Sequence, residues 1–394
     1  MSSGSTSLIP YGRQSISEAD IAAVVEVLHS PFLTQGPVVP AFEHAVAAKV
    51  GACYAVAVNS ATSALHIACL ALGLRPGDRL WTSPNTFVAS ANCARHCGAI
   101  VDFVDIDPHT YNISISKLAS KLEQAEKDNQ LPKILMPVHY AGQPCDMVVI
   151  HALSQQYGFK IIEDASHAIG ASYKNIKVGS CTHSDITVFS FHPVKIITSG
   201  EGGMVLTNNP ELDHCLRRLR THGITNEKAF MYDRPGQEIW NYQQIELGYN
   251  YRMSDIHAAL GLSQVNQLDH FVACRQKIAK HYDDRLASLP IITPFQAQQT
   301  YSSYHLYPIR VKEALGRKSQ RQIYDFMWDN GIAVNLHYIP VHRQPYYENL
   351  GFKAGDFLEA EQFHREVISL PIFPMLTDDQ QESVIKALEM SLKN

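Results

Sequence analysis

Residues 54–107 read YAVAVNSATSALHIACLALGLRPGDRLWTSPNTFVASANCARHCGAIVDFVDID, and the order of apolar runs in this stretch decides the fold class. The runs YAVAV (54–58), RLWTS (79–83) and IVDFVDID (100–107) are short and rich in β-branched or aromatic residues. Between them lie the helix-like segments SALHIACLALGL (63–74) and TFVASANCARHCG (86–98). Strand, helix and strand in repeated alternation predict an α/β fold, with a largely parallel sheet and helices on its faces. Strands in such a sheet are buried on both sides.

The rhythm continues through KILMPVHY (133–140), a helix around HALSQQYG (151–158), FKIIEDA (159–165), DITVFSF (185–191) and GGMVLTN (202–208). Ligands of open α/β sheets collect at the carboxyl ends of the strands, so polar residues there are candidates for function. Further on, GYNYRMSDIHAALGLSQVNQLDHF (248–271) and CRQKIAKHYDDRLASL (274–289) predict a long connecting helical stretch that Pro290 and Pro294 end. The remainder reads as YHLYPIRV (strand), SQRQIYDFMWDNG (helix), IAVNLHYIP (strand) and DDQQESVIKALEMSL (helix), a smaller α+β unit. Two domains are expected, a large one over 1–265 and a small one over 266–394.

With 394 residues, 45% of them hydrophobic, the chain can bury a substantial core. A net charge of −5 and no dense basic run argue against nucleic acid as the main partner. Neither a signal-peptide core in MSSGSTSLIPYGRQ nor an apolar run long enough to span a bilayer is found, so a cytoplasmic protein without a membrane partner is expected. The 8 cysteines are scattered without CxxC pairs, which suggests neither a disulfide framework nor a structural zinc site. Cys93, His96 and Cys97 read as one side of a small-residue helix, and buried thiols are expected there rather than metal ligands.

Four signals at predicted strand ends point to one cofactor. Lys195 follows an apolar strand in FSFHPVKIITSGEGGMVLTN (189–208); in a partly dry pocket its charged form is disfavoured and its amine can attack an aldehyde, as a Schiff-base lysine must. Glu163 and Asp164 end the run FKIIED, and a carboxylate there, Asp164 for preference, can pair with a protonated pyridine nitrogen. Asn59, Ser60, Thr62 and Ser63 lead a strand into a helix whose free N–H groups and dipole suit a phosphate, and Ser190 offers another hydroxyl. Phe87 in TSPNTFVAS is placed to stack on a flat ring. Each feature alone has a bland alternative: a solvated loop lysine, helix caps, a core aromatic. Together they supply the lysine, ring-nitrogen acid, phosphate cup and ring stacker of a pyridoxal-phosphate site.

With LTQGP, NSATSAL, SPNTFVAS, EDASHAIGA, FSFHPVKIITSGEGG, GYNYRMSDIHAALGLSQ and VNLHYIPVHRQPYY occurring in that order, essentially the whole chain resembles the DegT/DnrJ/EryC1/StrS sugar aminotransferases. The resemblance implies the aspartate-aminotransferase-like architecture (fold type I), a mixed, mostly parallel sheet with a smaller C-terminal α+β domain. It implies pyridoxal 5'-phosphate held by Lys195, with Asp164 on the pyridine nitrogen, His167 beside the ring and Phe87 stacked on it. Thr62, Ser63 and Ser190 would hold the phosphate, and Asn250 would reach over from a second subunit, so that a homodimer shares its active sites. Tyr11, the segment Pro31, Phe32, Leu33 and Thr34, then Ala61, Ser190, Asn250 and the stretch Asn335, Leu336, His337, Tyr338 would meet a sugar nucleotide. His337 and His342 could also be read as a metal pair, but substrate hydrogen bonding or packing is the preferred reading, and no metal is expected.

The His-Pro-Val-Lys loop, the Ser-His after the acid and ELGYNYRMSDI are most similar to family members of pseudaminic acid biosynthesis. These move an amino group from L-glutamate to C4 of UDP-2-acetamido-2,6-dideoxy-β-L-arabino-hex-4-ulose, a UDP-linked 4-keto-6-deoxy sugar, giving UDP-4-amino-4,6-dideoxy-N-acetyl-β-L-altrosamine. Alternatives are a GDP- or dTDP-linked substrate, or a regulatory protein that keeps the fold without turnover. Intact Lys195 and Asp164 count against the latter, and Lys195 also separates the chain from family members that carry His at that position. A Rossmann dehydrogenase would need a GxGxxG after the first strand, which is missing.

Overall fold

The computed structural model describes residues 8–233, 240–312 and 318–393. Its centre is a seven-stranded sheet. In chain order the strands are β1 (Tyr54–Val58), β2 (Arg79–Thr82), β3 (Ile100–Phe103), β4 (Ile134–Met136), β5 (Lys160–Asp164), β6 (Ile186–Ser190) and β7 (Gly203–Thr207). Across the sheet they run β1-β7-β6-β5-β4-β2-β3. All neighbours are parallel except β7, which lies antiparallel between β1 and β6 with Gly203 opposite both Val58 and Ser190. The sheet is therefore mixed and mostly parallel, as expected from the sequence.

Successive residues of a strand face opposite sides, and here each side has its own apolar layer. Val56, Val58, Ile162, Val188 and Val205 pack beneath the helices Ala61–Ala71 and Ala89–His96. Ala55, Ala57, Phe189, Met204 and Leu206 pack on the other face, against Val38–Val50 and Asp255–Val265. β6 and β7 are buried at every position, and each fully buried Val or Phe side chain contributes roughly 1.5–3 kcal/mol.

The same alternation separates two neighbouring acids. Asp164 shares the side of Ile162, whereas Glu163 faces away and accepts hydrogen bonds from Thr187, Ser184 and the Nε2 of buried His139 at 2.9, 2.5 and 2.7 Å. Only Asp164 reaches the site described below.

The connecting helical stretch is two helices, Asp255–Val265 and Leu268–Leu286, rather than one. At Asn266 and Gln267 the chain tightens into N–H bonds to residues three back, at 3.2 and 2.9 Å, which turns both Val265 and Leu268 into the same apolar layer. Beyond it, a three-stranded antiparallel sheet of Ile291–Ile292, Tyr307–Val311 and Val367–Leu370 packs with the helices Gln320–Asp329 and Asp378–Lys393 around its own core. Ile9 joins this core, because Ile9–Pro10 pairs in parallel with Ile332–Ala333. Among the described residues no helix is long and apolar enough to cross a membrane.

Candidate active site

A cavity of ≈ 410 Å³ opens over the carboxyl ends of β1, β5 and β6 and is closed from above by Tyr11, His305 and residues 335–338. It contains Lys195, Asp164, His167, Ser190, Thr62, Ala61 and Phe87, residues that the sequence places up to 134 positions apart (61 to 195).

Lys195 stands on the loop between β6 and β7. The loop is closed by Phe191 N–H donating to the Gly202 carbonyl at 2.9 Å, Ser199 N–H to Phe191 at 3.0 Å and Lys195 N–H to His192 at 2.9 Å. Gly200 supplies the left-handed turn, with φ +79°, that returns the chain into β7. Burial lowers the Lys195 ammonium to about 8, an effect that the carboxylate of Asp164 partly offsets. A substantial fraction of the neutral amine is therefore present near pH 8, where a solvated lysine is almost wholly charged.

Asp164 is buried and both its oxygens are engaged. Ser90 Oγ donates to Oδ2 at 2.6 Å, and Ser166 donates to Oδ1 through its N–H at 3.1 Å and its hydroxyl at 2.6 Å. Hydrogen bonds to a charged group contribute about 1.5–3 kcal/mol each, so the carboxylate is fixed in one orientation.

The helix Ala61–Ala71 begins at the cavity. Ser60 caps it, its Oγ accepting from Ser63 N–H at 3.1 Å, while the Ser63 hydroxyl donates to Asn59 Oδ1 at 2.7 Å. Ser63 is thus spent on the cap and does not line the cavity, which corrects its expected place among the phosphate ligands; Ser60, Ala61 and Thr62 do line it. A Cβ on Gly203 would sit 2.6 Å from the Ser60 carbonyl and 2.7 Å from Ala61 N, so only glycine lets β7 come this close to the helix start. The N-terminus, its dipole and the hydroxyls of Thr62, Ser60 and Ser190 form a cradle that suits a phosphate.

Phe87 is 58% exposed and presents its ring to the cavity, 6.2 Å from the ring of Tyr338, so it is not a core aromatic. His167 is buried, with Nε2 3.1 Å from Tyr338 Oη and its ring 4.3 Å from that of His305. Burial, then the charges of Lys195 and His337, hold its imidazole well below the usual range, so it is neutral. His337 is likewise driven down to about 3 by burial and by Lys195. Its Nδ1 lies 2.9 Å from Ser369 Oγ, and its ring is 5.3 Å from that of Tyr11, whose phenol burial raises. His342 lies off the cavity, its Nε2 2.9 Å from Glu361.

Not every expected residue gathers here. Pro31, Phe32, Leu33 and Thr34 are exposed on the surface beside Ser254 and Asp255, and Asn250 is exposed next to Thr221; none of them lines this chain's own cavity. Conversely, Ser90, Thr86, Ser166, Glu201 and His305 line it without having been singled out. Ser166 could have been suspected, as a hydroxyl two positions after the acid. Ser90 and His305 carry no local signal, since their partners are brought near by the fold alone.

The geometry accommodates pyridoxal 5'-phosphate: a cradle for the phosphate, an exposed aromatic face, a fixed carboxylate and an amine of lowered basicity surround one space. Comparisons with known proteins agree on the family. Residues 14–389 match the DegT/DnrJ/EryC1/StrS aminotransferase family. The chain is 38% identical over 388 residues to the spore coat polysaccharide biosynthesis protein SpsC of Bacillus subtilis, covering 98% of this chain and 97% of that one. It is 36% identical over 367 residues, 92% of each chain, to a UDP-4-amino-4,6-dideoxy-N-acetyl-beta-L-altrosamine transaminase of Campylobacter jejuni. Among solved structures, Helicobacter pylori PseC, an aminotransferase of pseudoaminic acid biosynthesis, superposes with a TM-score of 0.89 at 29% identity, covering 98% of this chain and 99% of that one. Spr1654 of Streptococcus pneumoniae in its PLP form does so with 0.87 at 28%, with the same coverage. The chain with its Lys195 and Asp164 cavity belongs to the DegT/DnrJ/EryC1/StrS aminotransferase family.

Proposed function

We propose that the protein uses pyridoxal 5'-phosphate to move the amino group of L-glutamate to C4 of a UDP-linked 4-keto-6-deoxy-N-acetyl sugar, with the β-L-arabino sugar of pseudaminic acid biosynthesis as the specific substrate. The observation that carries the reading is the amine of Lys195, lowered to about 8, sharing one cavity with the doubly anchored carboxylate of Asp164. The name of the Campylobacter relative supports the UDP-linked substrate, and the PLP form of Spr1654 supports the cofactor.

When bound, the cofactor supplies an aldehyde that accepts the amino group and a ring that takes up negative charge. Thr62, Ser60, Ser190 and the helix start at Ala61 would hold its phosphate, and Phe87 would lie against its ring. Asp164, anchored by Ser90 and Ser166, would hold a proton on the ring nitrogen. The neutral amine of Lys195, which burial favours, would be the group that accepts a proton from the substrate carbon and delivers it to the carbon on the far side of the transferred nitrogen. Tyr11, Asn335 and His337 form the wall where the sugar would lie, and neutral His337 offers it hydrogen bonds without repelling Lys195.

The second half of the proposal is a homodimer. The helix Glu18–His29 exposes Ile21, Val25 and Leu28 on one stripe, followed by exposed Phe32 and Leu33, an apolar surface of the kind that a partner covers. A second copy seated there would bring Pro31–Thr34 and Asn250 towards a neighbouring cavity. In this reading the division at residue 265 leaves the cofactor to the sheet, and the sugar to residues 335–338 of the second part together with Tyr11.

The test is an absorption titration of protein loaded with pyridoxal phosphate, beside Lys195→Ala. L-Glutamate should remove the near-visible band and the UDP-linked ketosugar should restore it, with neither change in the variant. Restoration only by a GDP- or dTDP-linked ketosugar would keep the chemistry and replace the substrate. A band indifferent to L-glutamate would overturn the amino donor.

A further inference from the structure

The segment Thr86–Ser90 does two things at once. Phe87 turns outward into the cavity, and three residues later Ser90 turns inward to Asp164. Ser90 Oγ lies 2.6 Å from Asp164 Oδ2 and 2.7 Å from Thr86 Oγ1. An ionised carboxylate only accepts, so the Ser90 proton must point to Asp164; Ser90 Oγ is then left to accept, and Thr86 must be the donor to it. All three groups are buried: Thr86 at 3%, Ser90 at 0% and Asp164 at 4% exposure. The three form a one-directional chain, Thr86 to Ser90 to Asp164, started from the same short stretch that presents Phe87.

We infer that Ser90, polarised by Thr86, is a positioning residue that keeps the shared proton on the cofactor's ring nitrogen rather than on Asp164. The inference rests on the cofactor reading above. A donor on Oδ2 holds the negative charge on the carboxylate, so a proton placed between Asp164 and a pyridine nitrogen stays with the nitrogen. Without that donor Oδ2 loses the hydrogen bond that holds its negative charge, the proton moves towards the carboxylate, and the ring becomes a poorer acceptor of charge. Ser166 donates to the other oxygen and cannot replace Ser90, because its two bonds both end on Oδ1.

The experiment uses the holoprotein loaded with pyridoxal phosphate carrying 15N in its ring, and compares wild type with Ser90→Ala, Ser90→Thr and Thr86→Val. The ring 15N resonance should be of the protonated type in wild type and Ser90→Thr. In Ser90→Ala it should move clearly towards the unprotonated position, and in Thr86→Val by a smaller step. The rate of band loss with L-glutamate should fall about tenfold or more in Ser90→Ala, from the loss of one charge-assisted bond, while the thermal midpoint of the cofactor-free protein falls by only a few degrees and the cofactor dissociation constant changes little. A protonated-type resonance in Ser90→Ala identical to wild type overturns the positioning role while leaving the cofactor reading intact. Failure of the wild type to bind the labelled cofactor overturns both.

Discussion

The phenol of Tyr338 lies 3.1 Å from Nε2 of His167, joining two residues 171 positions apart in the chain. Tyr338 was expected to touch the sugar, and it does line the cavity, but its hydroxyl is already engaged with the histidine beside the cofactor site. Tyr338→Phe should therefore slow both halves of the reaction, by about twofold to tenfold, the range set by one buried neutral hydrogen bond. Stopped-flow traces with glutamate and with ketosugar measure the two halves separately. Slowing confined to the sugar half would return Tyr338 to a purely substrate-facing role.

Lys195 sets the pH dependence. Its ammonium is lowered from 10.5 to about 8, so the neutral amine grows as pH rises through 8 and is scarce below 7. The rate at which cofactor-free protein takes up pyridoxal phosphate should rise over this window and level off above it. His167 and His337, whose basicity is depressed, stay neutral throughout and add no inflection. A midpoint near 10 would show that the amine is solvated.

Two neighbouring hydroxyls should behave differently. Thr62→Ala removes a cavity hydroxyl and should weaken cofactor binding by roughly tenfold. Ser63→Ala instead breaks the bond to Asn59 and loosens the helix start, so it should cost about 1 kcal/mol of stability with less than a twofold effect on binding. Cofactor titration and thermal melting of each variant separate the two cases.

If a second copy covers the stripe on Glu18–His29, placing charge there should break the pair. Val25→Asp with Leu33→Asp should convert the protein to monomers, measured by light scattering during gel filtration, and activity should fall with association because Asn250 then has no neighbouring cavity to enter. Monomers with full activity would disprove the shared site.

The sheet was legible because its strands are buried on both faces and so appear as unbroken apolar runs. The candidate site was legible where function concentrates at strand ends, at Lys195, Asp164 and the start of the helix at Ala61. Other parts were not. Ser63 looked like Thr62 because sequence does not show which hydroxyl the cap consumes. Ser90 meets Asp164 across 74 positions, and nothing local to TFVAS announces that contact. The break at Asn266 was hidden because both flanking segments are good helix formers, and the need to bury Val265 and Leu268 together is a demand of the core.

The pairing of Ile9–Pro10 with Ile332–Ala333 orders events during synthesis. Every strand of the central sheet has been made once residue 207 leaves the ribosome. Tyr11, though made before every strand of that sheet, must wait for more than a hundred further residues before the strand that seats it exists. The newborn chain can therefore complete the sheet and the cradle at its strand ends before it acquires the wall above them, and residues 9–11 take their place late.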